Sequence, residues 1–204
     1  MAEINPANLQ SKHLYVQALL LGKVVKHIFD KASIRLSSKP KLTARPIISF
    51  MKRMRVSGLE KFSGKTFLSV INFYRSDTDL KRRKTAGALV VYISEENIYH
   101  LVKQLDYPVE NEEDHAALMD SCGALTNLVA GSFKSGLIEL GYQEIRMSHF
   151  SSYENTVIDG VEYDPRESQY YEVVFEVQGQ PCLTIDLTMG PLEHDGQVEA
   201  TLSL

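Results

Sequence analysis

Apolar residues recur at intervals of three and four from about Pro6 to Lys31, where Leu14, Ala18, Leu21, Val25 and Ile28 share one side and predict an amphipathic helix. A second pattern of the same period runs from Glu112 to Tyr142. In it Leu118, Cys122, Leu125, Val129, Phe133, Gly136 and Leu140 fall on one stripe that a helix would bury, and Gly141 reads as its C-terminal stop. Between these helices the period changes. Ser33 to Pro46 is broken by Pro40 and Pro46 and reads as irregular or edge structure. Three strand-like runs follow, Ile47 to about Leu59, Thr66 to Arg75 and Gly87 to Ile93, and they predict an antiparallel meander with a turn at Ser63-Gly64 and a charged loop from Asp77 to Thr85. Ser94 is placed to cap a short helix from Glu95 to Leu105, and Pro108 prevents its continuation.

After the long helix, Gln143 to Phe150 reads as a strand and Ser151 to Ser168 as a loop. Tyr170–Val177 and Cys182–Thr188 alternate as two strands of a hairpin joined at Gln178-Gly179-Gln180. No element is assigned beyond Pro191. Helices grouped apart from antiparallel hairpins predict an α+β fold, with an antiparallel sheet of about six strands, two long helices packed on one face and one short helix.

Composition narrows the function. With 204 residues, 44% hydrophobic and 24% charged, the chain is expected to form a single domain, residues 1–204, with a core large enough to need no disulfide or metal staple. Cys122 lies on the buried stripe and Cys182 in a strand, where each acts as a small hydrophobe. The N-terminal residues lack a secretory pattern and no apolar run approaches the roughly 20 residues that span a bilayer, so a cytoplasmic protein with no membrane partner is expected. A net charge of −4 argues against a nucleic-acid partner. Lys81-Arg82-Arg83-Lys84 reads as a solvated loop. The six histidines show no metal-ligand spacing, and no Walker loop, dinucleotide fingerprint or nucleophile elbow is present. No cofactor and no metal are expected. Gly131 to Gly136 holds glycines and a lysine but lies inside the helical pattern, so it is no phosphate loop.

The candidate site is the other side of the long helix. Asp120, Ala124, Asn127, Gly131 and Lys134 follow one another at steps of four, three, four and three, flanked by Gly123 and Ser135. Glycine inside a helix costs about 1 kcal/mol against alanine, and keeping Gly123 and Gly131 there suggests that something approaches the backbone closely. An asparagine at this position is also consistent with a plain solvent-facing side chain.

The run DSCGALTNLVAGSFKSGL resembles the signature helix of the CheX branch of the CheC/CheX/FliY chemotaxis phosphatases, in which an Asp, a Gly-Glu-x-x-Asn core and an Ala-Gly continuation recur. The resemblance covers Asp120, Gly123, Asn127, Ala130, Gly131 and Lys134, and departs from the pattern at Ala124, where the family has glutamate. It implies a CheC-like fold, homodimers, and a phosphorylated CheY-like response regulator as partner. In that family the matching asparagine orients the water that attacks the regulator's aspartyl phosphate, and Mg²⁺ belongs to the regulator. By this resemblance Asn127 is the catalytic residue, and Asp120, Gly123, Ala124, Gly131 and Lys134 are partner-binding. The Ala124 departure leaves two readings beside each other, a phosphatase working with Asn127 alone and a non-catalytic adaptor or switch-type binding module. A third is a globular interaction module with no phospho-signalling role.

Overall fold

The computed structural model describes residues 6–195, with side chains from residue 11 onward. Its elements in chain order are α1 (Pro6–Lys31), β1 (Lys41–Pro46), β2 (Ser49–Phe50), β3 (Arg53–Ser57), a 3-10 turn (Gly58–Glu60), β4 (Thr66–Tyr74), α2 (Asp77–Lys81), β5 (Thr85–Ser94), α3 (Glu95–Gln104) and α4 (His115–Glu139). They continue with β6 (Arg146–Met147), β7 (Ser151–Glu154), β8 (Val157–Val161), β9 (Gln169–Val177) and β10 (Gln180–Met189).

The main sheet has seven strands, in the order β1-β9-β10-β5-β4-β6, with β7 sharing the outer edge of β4. All of its pairings are antiparallel. Side chains alternate between the faces of a strand, so the continuous apolar run of β5 needs cover on both sides. Leu89, Val91 and Ile93 join Phe67, Ile71, Phe175, Leu183 and Ile185 in the core beneath α1 and α4. Ala88, Val90 and Tyr92 turn the other way with Leu68 and Val70, against Met54, Val56 and Val161 of a second sheet.

That second sheet corrects the expected meander. β2 and β3 pair with β8, in the order β2-β3-β8, and do not extend the main sheet. Along β3, Met54 and Val56 are buried while Arg53 and Arg55 are exposed, so the strand serves as a one-sided lid over the sheet. The edge of β4 that the meander required is occupied by β6 and β7. The expected strand Gln143 to Phe150 shrinks to two residues, and the expected loop after it contains β7 and β8. The charged loop contains α2, where the Ser76 hydroxyl accepts from Asp79 N at 3.1 Å, and Lys81 to Lys84 are exposed.

Several local signals act as their chemistry requires. Asp114 caps α4, its carboxylate accepting from Ala117 N at 3.0 Å, and Gly141 leaves the helix at φ +86°. Gln178 and Gly179 both take positive φ in the β9–β10 turn, matching a tight hairpin. β1, with Pro46 at its end, is an edge strand. Ser94 departs from its expected role. Its hydroxyl accepts from Asn97 Nδ2 at 2.7 Å and caps no backbone amide. Both cysteines are free and buried, and burial pushes the Cys122 thiol up to about 12 and that of Cys182 to about 11.

Candidate functional site

Helix α4 is anchored by its inner side. Leu118, Cys122, Leu125, Val129, Phe133 and Leu137 are buried, with the Phe133 ring 5.8 Å from that of Phe73 on β4. Gly136 serves the crossing with α1, since a Cβ there would stand 2.8 Å from Leu20 Cδ1. Every buried side chain on this stripe turns the opposite side of the helix outward.

On that outer side Asp120 and Asn127 are exposed, and Ala124, Gly131 and Lys134 are half-buried. The two polar side chains are seven residues apart, about 10 Å along the axis. Among the described residues neither the Asp120 carboxylate nor the Asn127 amide has a hydrogen-bond or ion-pair partner, so the amide keeps its donor and acceptor capacity for solvent or a ligand. A Cβ added at Gly131 would meet nothing within 4 Å, which makes this the point where another molecule can come nearest to the helix backbone.

Two members of the set are engaged within the chain. Gly123 is buried, and its bare Cα is covered by the ring of Phe150, which returns on the loop between β6 and β7. The close approach expected at Gly123 is thus made by this chain's own phenyl ring. Lys134 Nζ meets Glu144 Oε1 at 3.0 Å, and Glu144 also pairs with Arg146 at 2.6 Å, which reaches Asp77 at 2.8 Å. The hydrogen bond from Lys134 and the nearby Arg146 charge draw the Glu144 carboxyl below its ordinary value. Leu128 and Phe150, 42% and 38% exposed, add apolar surface that sequence reasoning missed, the first next to Asn127 in the chain and the second over Gly123, one turn before it. Helical projection alone points to Leu128, whereas nothing local to Phe150 signals its docking on Gly123.

Two other polar clusters lie elsewhere. Between the sheets, Lys61 Nζ bonds Glu172 Oε2 at 2.6 Å and Asp186 Oδ1 at 2.8 Å, and Tyr92 Oη donates to Asp186 Oδ2 at 2.9 Å. Burial raises the Asp186 carboxyl to about 6 despite Lys61. At Glu172 burial acts in the same direction but is outweighed by Lys61 and Arg45, and the carboxyl is lowered. A cavity of about 350 Å³ opens beside this group. At the start of α4, His115 Nδ1 lies 2.9 Å from Glu154 and close to Glu95, a grouping that the scattered spacing of the histidines hid. Lys65 stands 3.4 Å from Glu95 and already balances part of its negative charge.

No protein-family model and no curated protein matches the sequence. Solved structures do. The chain superposes on the chemotaxis protein CheX from Desulfovibrio desulfuricans with a TM-score of 0.57 at 15% identity, over 87% of this chain and 99% of that one. The fold is CheX-like. It also matches FliY from Thermotoga maritima, with a TM-score of 0.52 at 12% identity over 92% of each chain. At such identities the shared feature is the α+β CheC-like architecture, an antiparallel sheet with long helices on one face. Among the described residues, no helix of this CheX-like fold is long and apolar enough to cross a membrane.

Proposed function

We propose that the outer face of α4 docks the phosphorylated receiver of a CheY-like response regulator, and that Asn127 orients the water that hydrolyses its aspartyl phosphate. The observation that carries this reading is the Asn127 amide, exposed, without a hydrogen-bond partner among the described residues, one turn from the open backbone at Gly131. An amide can accept from a water and donate to the phosphoryl oxygen in one geometry, which fixes the line of attack. The Mg²⁺ and the cation that stabilise the transferring group belong to the regulator, so this chain needs no metal or nucleophile of its own. The CheX-like fold and the run from Asp120 to Lys134 support the same assignment.

Ala124 supports a second reading, a non-catalytic adaptor using the same face. A methyl group occupies the position of the expected carboxylate, and Asp120 stands one turn further back. The two readings separate in a single experiment. A CheY-like regulator charged with acetyl phosphate is incubated with the chain or with Asn127→Ala, while binding is followed independently. Phosphate release that depends on Asn127 supports the phosphatase; binding without release supports the adaptor; absence of binding removes both.

The same reading expects a cytoplasmic homodimer. Lys41, Arg45 and Pro46 make β1 a poor edge for pairing with another chain; the shortness of β7 also limits pairing, but Glu154 is its single charge, which makes it the better suited of the two. Sedimentation at micromolar concentration tests it, and a 23.0 kDa species alone would remove the dimer.

A further inference from the structure

The hairpin formed by β2 and β3 exposes apolar side chains that the fold does not use. Ile48, Phe50 and Met51 are 62%, 62% and 81% exposed, Phe50 and Met51 at its tip and Ile48 two residues before Phe50. Met51 and Lys52, the turn residues, have φ of +48° and +63°, a region that L side chains enter at a cost and that asparagine or glycine fills more readily. A turn shaped only by folding has no need of an exposed methionine there.

Pairing sets basic residues opposite this apolar row. Phe50 faces Arg53 across the hairpin, and Ile48 O accepts from Arg55 N at 2.8 Å. Directly opposed residues project to the same side of a sheet, so one strand of the hairpin offers apolar groups and the other guanidinium groups. Lys52 has no ion-pair partner among the described residues. Arg53 and Arg55 are half exposed and hold their acids loosely, Glu162 at 3.4 Å and Asp159 at 3.5 Å. The surrounding sequence is one-signed, with eight lysines and arginines and no acid from Lys31 to Leu59, in a chain whose net charge is −4. On β1 the cations are answered by Glu172 and Glu176, which leaves the hairpin tip as the cationic and apolar end of the stretch.

We propose that the β2–β3 hairpin docks on an anionic lipid surface, with Ile48, Phe50 and Met51 entering the acyl boundary and Lys52, Arg53 and Arg55 at the headgroups. A narrow convex tip buries little against a flat protein surface but enters a fluid one readily, and apolar insertion combined with basic residues is the pairing that gives reversible attachment. The earlier expectation of no membrane partner rested on the absence of a spanning segment, and a tip of this size leaves no such trace. The hairpin belongs to the sheet that covers the face opposite α1 and α4, so attachment leaves the outer side of α4 free.

The test is co-sedimentation of the full chain with vesicles of phosphatidylcholine alone or mixed with phosphatidylglycerol, at low and at raised salt. The parent is expected to pellet with the mixed vesicles only, and less at raised salt. Phe50→Ser with Met51→Ser should weaken binding by about tenfold or more, and Lys52→Glu by about fivefold or more. Unchanged circular dichroism shows that these exposed positions leave the fold intact. A parent that stays in solution with the mixed vesicles overturns the proposal. So does a serine variant that binds as well as the parent, or a parent dimer that the serine variant dissolves, which would assign the hairpin to a second copy of the chain.

Discussion

The Phe150 ring lies on the bare Cα of Gly123, so closely that a Cβ there would collide with it. A glycine buried in the middle of α4 therefore works as a seat for a side chain arriving from the loop after β6. Gly123→Ala should gain about 1 kcal/mol of helix propensity but lose about 1 to 3 kcal/mol as the ring is displaced, so no gain and a net loss of up to about 2 kcal/mol is expected in urea unfolding. Truncating the ring in a Gly123→Ala/Phe150→Ala double variant should remove the clash, and the two substitutions should be less damaging together than their separate effects predict.

Gly131 is expected to behave in the opposite way. A methyl group there meets open space, so Gly131→Ala should stabilise the chain by about 1 kcal/mol, raising its melting temperature by about 2–4 °C. A larger side chain, as in Gly131→Trp, should leave the melting curve intact while abolishing binding of a phosphorylated regulator in a titration.

Restoring the missing carboxylate tests the chemistry directly. If Ala124→Glu adds a charge-assisted contact of about 1.5 to 3 kcal/mol made only in the reacting complex, turnover of a phospho-regulator should rise by about 10- to 150-fold. In the same phosphate-release assay, Ala124→Glu/Asn127→Ala should be inactive.

Lys61 is the counterion of the buried Asp186 and shares Glu172 with Arg45. Asp186 titrates at about 6 in the fold against 3.8 ordinarily, so between these values the native state holds a proton that the unfolded chain has lost. Its favourable contribution is complete below about pH 4 and is lost as pH rises through 6. Lys61→Met removes the counterion and should cost about 3–5 kcal/mol at pH 8. The loss should shrink by pH 5, as Asp186 takes up its proton, when denaturation midpoints are compared across pH.

Asp164 has the reverse sign. Burial alone would raise its carboxyl, but hydrogen bonds from Arg166 and Arg75, with Nη2 atoms at 2.7 and 2.6 Å, outweigh it and hold the group at about 2. Its contribution is present above pH 3.8 and is lost as pH falls through 2. Asp164→Asn should cost about 2 kcal/mol at neutral pH and progressively less in acid, measured by the same unfolding series.

Period and punctuation located most of the elements. The bounds of α1, the buried stripe of α4, the stop at Gly141 and the β9–β10 hairpin all follow from spacing that local geometry imposes. The β7 and β8 strands escaped because SSYE and VIDGV carry little alternation; the open edge of β4 and the pairing of β8 with β3 make them strands. The placement of β3 escaped for a different reason, since Met54 and Val56 show a one-sided strand without saying which sheet it covers. At the site, Asp120, Asn127 and Gly131 could be read from helical projection. The docking of Phe150 on Gly123, the Glu144 partner of Lys134 and the convergence of Lys61 with Glu172 and Asp186 join distant parts of the chain, which no local spacing encodes.

The pairings of the edge strand β1 and of the lid strand β3 also set the order in which the protein can be made. Lys41 of β1 lies beside Val174 and Ser57 of β3 beside Val157, so each of these early strands is completed by a partner a hundred residues or more further along the chain. A ribosome that has released only the first half has produced α1, β3, β4 and β5, but not α4, which completes the cover of one face, or β8, which completes the lid on the other. High separation between contacting residues slows folding and prolongs the exposure of unpaired strands. Folding of this chain is therefore expected to finish after synthesis, with β5 the strand most in need of protection until β10 arrives beside it.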